Sequence, residues 1–176
     1  AEVRFLKERG YDVRQMELGE EPDGQNISPE HYGALFVQFA DAIRKENPGL
    51  VLGGPGFQSE VDGWNSIPDN EGKTSWMDRF LSYLKSRQRM ADFGFFSFEW
   101  YPFDDLCQET PPKQLVRHPA LLAQTLRRLE EDGVPKDIPW IITEYGYSSF
   151  AGQAEVELPA ALLNAEIVLQ WFMAGV

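Results

Sequence analysis

The chain alternates short apolar stretches with longer segments in which apolar residues recur at helical spacing. Alternation or short apolar runs predict strands at residues 13–19, 50–52, 93–101 and 139–144. Helical spacing predicts helices at residues 1–10, 28–47, 74–89, 119–132 and 159–174. Strands that alternate with helices of this length form parallel sheets with right-handed crossovers. The sequence therefore predicts one α/β domain over residues 1–176.

Local signals mark the ends and faces of these predicted elements. Ser28 can cap the second helix, and Pro29 suits its first turn. The glycine-rich stretch 53–56 is predicted to end the second strand in a sharp turn. The predicted buried face of the second helix comprises Tyr32, Leu35, Phe36, Phe39, Ala40 and Ile43. That of the last helix comprises Leu162, Ala165, Val168, Leu169 and Phe172.

Carboxylates collect at the carboxyl ends of three predicted strands. Glu20 and Glu21 follow the first strand, Glu99 and Tyr101 end the third, and Glu144 ends the fourth. Parallel α/β folds place their chemistry at this edge of the sheet. Two strand-end carboxylates that are far apart in sequence suit the acid/base chemistry of glycoside cleavage. We therefore take Glu21 and Glu144 as the candidate catalytic pair.

Composition narrows the classes of partner. The net charge of −12 argues against nucleic acid and anionic membranes, because phosphate binding relies on basic patches. A single cysteine, Cys107, excludes an internal disulfide. The two histidines, His31 and His118, are too few for a zinc site and are expected at ordinary helix ends. No apolar run approaches the roughly 18 residues of a membrane-spanning helix.

Two motifs resemble one enzyme superfamily. ELGEEPD at residues 17–23 resembles the EIGNEPD motif of retaining glycoside hydrolases with a (β/α)8 barrel. ITEYG at residues 142–146 resembles the end of strand seven in that superfamily. Residues 28–57 and 95–103 are similar to the xylosidase and iduronidase branch, from helix four to strand six. The resemblance covers nearly the whole chain but only strands four to seven of the barrel.

The resemblance implies an incomplete TIM barrel with an O-glycosidase site and no cofactor. Glu21 would be the acid/base, Glu144 the nucleophile, and Tyr101 the residue that supports the nucleophile. The substrate would be a carbohydrate, and a secreted or periplasmic location is favoured. A barrel needs about 250 residues. We therefore expect an open arc whose exposed lumen and edges are covered by remaining barrel segments or another chain.

The chain departs from its apparent relatives at two carboxylates. Glu20 stands where the superfamily has Asn, and Glu99 stands where the branch often has His. Either departure would change specificity or abolish activity. Crowded carboxylates cannot all ionise cheaply, so some of their pKa values should be raised.

Each candidate residue also has a structural interpretation. Glu20 is a substrate-binding candidate or a solvated rim charge, and Glu17 is expected to pair with an arginine. Glu99 and Tyr101 contact ligand or pack in the lumen. Three aromatic residues stack on sugars or pack in the protein: Trp64, Trp100 and Tyr147.

Two further functional classes stay open at this stage. The first is a non-catalytic carbohydrate-binding or scaffold protein built on the same barrel. The second is a metal site made from the surplus carboxylates, since hard cations take oxygen ligands. The sequence carries no D-x-D-x-D-G loop in support of the second class.

Overall fold

The computed structural model describes residues 1–58, 68–104, 111–150 and 152–176. The predictions that concern Trp64 and Cys107 fall outside these residues. Among the described residues, no helix is both long and apolar enough to cross a membrane.

Four parallel strands form one sheet in the order β1-β2-β3-β4. The strands are β1 (Gln15–Glu17), β2 (Val51–Phe57), β3 (Phe95–Trp100) and β4 (Trp140–Tyr145). The helices are α1 (Glu2–Glu8), α2 (Pro29–Glu46), α3 (Trp76–Ser86), α4 (Pro111–Glu131) and α5 (Leu158–Ala174), with short 3-10 turns at Met90–Asp92 and Gln153–Val156. The sheet curls into a half-barrel, so the predicted α/β class is confirmed.

The glycine-rich stretch belongs to β2 and does not end it. β2 runs through the glycines to Phe57, and Gly53 lies opposite Phe95 of β3. A Cβ atom at Gly53 would lie 2.4 Å from the Phe95 carbonyl oxygen. The glycines therefore let two backbones approach closely, which the prediction of a turn at this point missed.

Helix α4 begins earlier than predicted. Pro119, expected at the helix start, lies inside a helix that begins at Pro111. Prolines are favoured in the first turn, where their missing N–H group costs nothing. Pro119 is exposed, so water can replace the backbone hydrogen bond that its ring removes.

An aromatic cluster joins α2 and α3 to the sheet. Tyr32 and Phe36 of α2 contact Phe80 of α3 edge-on, with ring centroids 4.9 and 5.7 Å apart. Trp76 packs 5.3 Å from Tyr32 and donates its indole N–H to the Ile27 carbonyl oxygen at 2.9 Å. Ser28 accepts a hydrogen bond from the His31 N–H group, so the predicted cap of α2 is confirmed.

A second aromatic cluster packs the face of α5 that bears Trp171 against β3. The Trp171 ring lies 4.9 Å from Phe98 and 5.5 Å from Trp100. The buried residues of α5 are Ala160, Leu163, Ile167 and Trp171. The prediction chose the wrong face, because Leu162, Leu169 and Phe172 are 53%, 65% and 74% exposed. This helix is apolar on all sides, so its periodicity does not identify the inner face.

Both ends of the half-barrel expose apolar helix surface. Leu35 and Phe39 of α2, predicted to be buried, are 45% and 55% exposed. They line a groove of about 820 Å³ beside β1. At the other end, α5 exposes Leu169 and Phe172. The exposed apolar surface therefore lies mainly on the end helices, whereas we expected it on the lumen side.

Candidate active site

Glu21 lies in the loop after β1 in an unusual backbone conformation. Its φ angle is 45°, in the left-handed region that side-chain-bearing residues rarely adopt. Its N–H group donates to the Gly56 carbonyl oxygen at 2.8 Å, and its own carbonyl oxygen accepts from Gln25 N–H at 2.9 Å. Non-glycine residues in this conformation collect at functional sites. The loop thus fixes the position of Glu21 relative to β2.

Buried polar groups that the sequence analysis missed anchor this loop. Ser97 of β3 accepts a hydrogen bond from Gly56 N–H at 3.0 Å, and Asp23 accepts one from Gln58 N–H at 3.1 Å. Burial raises the pKa of Asp23 to about 6, although its backbone hydrogen bonds oppose the rise. Ser97 was detectable as the one small polar residue in an aromatic strand.

Glu99 lies at the centre of the carboxylate cluster. It is 3% exposed, and its Cα pairs in register with Glu144 on β4. Its carboxyl group is hydrogen-bonded to Glu21. Burial, this hydrogen bond and the charges of Glu21 and Glu144 raise the pKa of Glu99 to about 9. The expected upward shift of a pKa in this cluster is confirmed for Glu99.

Tyr101 and Glu144 form the second contact of the site. The Tyr101 hydroxyl donates to Glu144 Oε2 at 3.1 Å. Burial, followed by this hydrogen bond and the Glu144 charge, raises the pKa of Tyr101 to about 12. A Cβ atom at Gly146 would lie 3.0 Å from the Tyr101 ring, so the glycine leaves room for that ring. The phenol therefore remains a donor to a solvent-exposed carboxylate.

These four side chains come from the ends of three strands. Glu21 follows β1, Glu99 and Tyr101 come from the end of β3, and Glu144 lies near the end of β4. The cluster combines a buried carboxyl group with a raised pKa, its carboxyl partner and an exposed carboxylate that accepts a hydrogen bond from a phenol. Such a set can move protons and offer a nucleophilic oxygen to a ligand at the strand ends.

Glu20 and Glu17 lie to one side of this cluster. Glu20 is exposed and, like Glu17, lines the groove beside β1. Glu17 is half-buried, and its Oε2 atom has no hydrogen-bond partner among the residues that the structure describes. No arginine of the described residues forms a salt bridge with Glu17, so the predicted pairing is wrong. The carboxyl group that contacts Glu21 is Glu99.

Two predicted substrate-binding aromatic residues belong to the core. Trp100 is 1% exposed, packs on Trp171 and donates its indole N–H to His118 Nε2 at 3.0 Å. Tyr147 is 1% exposed, and its hydroxyl donates to Gln114. Neither ring presents a free face to a sugar, so the stacking role predicted for both is wrong. Alternation along β3 directs Trp100 away from the side that bears Glu99.

His118 does not lie at a helix end, so the prediction for this residue is wrong. It is fully buried inside α4, and within the described ranges its Nδ1 atom has no hydrogen-bond partner. Only His31 lies at a helix start, where it is exposed. Over the part of the chain that the structure describes, no group of three or more acidic, histidine or cysteine residues could hold a metal ion.

The fold is similar to that of glycoside hydrolases. The chain matches the Cel44A family 44 endoglucanase of Clostridium thermocellum with a TM-score of 0.62 and 16% identity, over 84% of this chain and 40% of that one. It also matches a glucosidase from Croceicoccus marinus with a TM-score of 0.49 and 20% identity, over 76% of this chain and 25% of that one. No protein-family profile and no curated protein matches the sequence.

The first of these similarities defines the fold class. The four strand–helix units correspond to part of a TIM-barrel glycosidase. The chain spans about 40% of the length of the endoglucanase. At this identity the similarity shows the fold alone.

Proposed function

We propose that the chain is the central part of a retaining O-glycoside hydrolase. Glu21 is the acid/base, Glu144 is the nucleophile, and Tyr101 orients Glu144. The observation that carries the proposal is the meeting of Glu21 and Glu144 around Glu99 at the carboxyl ends of parallel strands. The similarity of fold to glycosidases supports it.

The reaction proceeds in two displacements. Glu144 attacks the anomeric carbon while Glu21 gives a proton to the departing glycosidic oxygen, so that one C–O bond forms as the other breaks. In the second step Glu21 takes a proton from water, whose oxygen attacks the anomeric carbon and releases Glu144. The Tyr101 hydroxyl donates to Glu144 Oε2 and leaves the other carboxylate oxygen for attack.

Chemical rescue tests the nucleophile. Glu144→Gly should abolish hydrolysis of an activated aryl glycoside, and azide should restore turnover because it replaces the missing nucleophile. Glu131→Gln is the matched control, since it removes one exposed carboxylate from the end of α4. Full activity of Glu144→Gly without azide would refute the assignment.

Leaving-group dependence tests the acid/base. Glu21→Ala should slow substrates with poor leaving groups far more than activated ones, because only the former need a proton donor. NMR of the first-formed product should show the anomeric configuration of the substrate, as a retaining mechanism requires. An inverted product would contradict the nucleophilic role of Glu144.

A non-catalytic carbohydrate-binding protein is the second candidate. The observation that favours it is the hydrogen bond between Glu99 and Glu21, because it engages the carboxyl group that is proposed as the acid/base. Saturable binding of oligosaccharides with no hydrolysis of any aryl glycoside would support this class and exclude the enzyme.

We also propose that further strand–helix units of the barrel, or another chain, cover the two open ends. The groove beside β1 and the exposed face of α5 are the surfaces concerned. The 176-residue chain alone should therefore self-associate and bind a hydrophobic dye such as ANS. Phe39→Ser combined with Phe172→Ser should reduce both effects, whereas Val116→Ser, on an isolated exposed residue, should not. A monomer that melts cooperatively without binding dye would refute the proposal.

A further inference from the structure

The contact between Glu99 and Glu21 requires a proton. Two ionised carboxylates have only acceptor atoms, so a hydrogen bond between them exists only when one carries a proton. Glu99 is 3% exposed, whereas Glu21 is half-buried and therefore the more accessible partner. Glu99 is therefore the inner member of this pair, and Glu21 is the more exposed one.

The surroundings of Glu99 favour retention of that proton. The loop after β1 brings Glu21 and Asp23 towards it, and β4 brings Glu144. On its own strand the nearest titratable neighbour is Tyr101, and β2 has no titratable side chain. Burial raises the pKa of Glu99 most, and the neighbours that add to this effect, Glu21, Glu144 and Asp23, are all acidic. Loss of the proton would place several negative charges together.

We propose that Glu99 and Glu21 form a one-proton pair in which Glu99 is the positioning residue and Glu21 passes the shared proton to the leaving group. This inference rests on the proposed glycosidase function and adds a role for a residue outside the acid/base and nucleophile pair. Glu99 occupies one of the two positions at which the sequence departs from the family that it resembles.

The charge of the three carboxyl groups stays constant through the first step. Before attack, Glu144 carries one negative charge and the pair of Glu21 and Glu99 carries another. Attack turns Glu144 into a neutral ester as the pair gives its proton to the departing oxygen, so the pair then carries both charges. In the second step water returns a proton to Glu21 and the ester is cleaved. The ester formed at Glu144 therefore assists release of the proton from the pair.

The pH–rate profile tests the pair. Glu99→Gln keeps an N–H donor towards Glu21 but cannot ionise. Ionisation of Glu21 then no longer places a second negative charge beside another carboxylate. The alkaline limb of the kcat/KM profile should therefore move down by about one pH unit or more. The control Glu131→Gln should leave this limb in place. A uniform loss of rate in Glu99→Gln with an unchanged limb would overturn the proposal and leave Glu99 a structural residue.

Carbon-13 NMR of glutamate carboxyl groups tests the pair without turnover. In the unmodified protein one glutamate should titrate near pH 9, and this transition should disappear in Glu99→Gln. If this transition is seen but the protein has no glycosidase activity, the proposed function is refuted and the proton-holding pair of Glu99 and Glu21 stands. If the protein hydrolyses glycosides but no glutamate titrates above pH 7, the proposal of the one-proton pair is overturned and the proposed glycosidase function stands. The second result needs no variant, so it does not depend on how Glu99→Gln folds.

Discussion

Acidification should destabilise the protein through His118. This side chain is fully buried in α4 and accepts a hydrogen bond from the Trp100 indole at 3.0 Å. Burial lowers the pKa of His118 to about 4 from 6.5. Protonation would turn Nε2 into a donor, remove the bond to Trp100 and place a charge in the core. The folded state therefore requires the neutral imidazole.

The sign and size of the effect follow from proton linkage. Between pH 6.5 and pH 4 the unfolded chain binds a proton at His118 that the folded chain does not. The contribution of His118 to stability is therefore present above pH 6.5 and lost as the pH falls towards 4. The shift corresponds to about 3 kcal/mol in total, of which about 2.5 kcal/mol is lost by pH 4.

Urea unfolding at several pH values measures this loss. Asp23 has a raised pKa of about 6, so it contributes with the opposite sign over part of the range. The contribution of His118 is therefore measured as the difference in unfolding free energy between the unmodified protein and His118→Gln. This variant keeps an acceptor for Trp100 and does not titrate. His31→Gln is the control, because His31 is exposed at the start of α2.

Circular dichroism is the suitable probe, since protonated His118 would also change the fluorescence of Trp100 directly. Between pH 6.5 and pH 4 the free energy of unfolding of the unmodified protein should fall more steeply than that of His118→Gln, by about 2.5 kcal/mol. His31→Gln should follow the unmodified protein. Parallel curves for the unmodified protein and His118→Gln would show that the buried imidazole is not held neutral.

Three further predictions concern strand β2, the nucleophile and the carboxyl cluster. Gly54→Ala should lower the free energy of unfolding by at least about 2 kcal/mol in thermal unfolding, because a Cβ atom there would lie 2.6 Å from the Tyr32 hydroxyl. The control is Gly10→Ala, at a positive φ with open space around it, which should cost about 1 kcal/mol. Tyr101→Phe should lower kcat on aryl glycosides by about 10- to 100-fold, because it removes a hydrogen bond to a charged group. The raised pKa of Glu99 contributes stability that is lost as pH rises from 4.5 to about 9, so urea unfolding of Glu99→Gln should depend less on pH in that range.

The sequence predicted the elements of the half-barrel better than their exact packing. The sequence pattern predicted all four parallel strands, because short apolar stretches alternate along the chain with longer segments of helical spacing. The glycines of β2 were misinterpreted because close approach of two backbones depends on Phe95, which is distant in sequence. The inner face of α5 was missed because Leu162 and Leu163 are equally apolar, and only the position of the sheet distinguishes them.

The residues of the candidate site were partly predictable from the sequence. Motifs placed Glu21, Glu99, Tyr101 and Glu144 at strand ends, and parallel pairing brings such ends together. Ser97 stands out in the sequence of β3, but its hydrogen bond with Gly56 was not predictable, because that contact lies at the bulge in β2. Trp100 was assigned to the site although it belongs to the opposite parity of β3.

The contacts of the central strands explain how a site can exist in an open arc. Glu21 belongs to the edge strand's loop, yet its N–H group is held by Gly56 of β2, and Gly56 is held in turn by Ser97 of β3. Glu99 and Glu144 lie on the adjacent, register-paired strands β3 and β4. Every hydrogen bond in this path lies between strands that the chain itself supplies. The open ends expose helix surface, so the segments that we propose to cover them would add binding surface and stability to a carboxyl cluster that the four strands already hold in place.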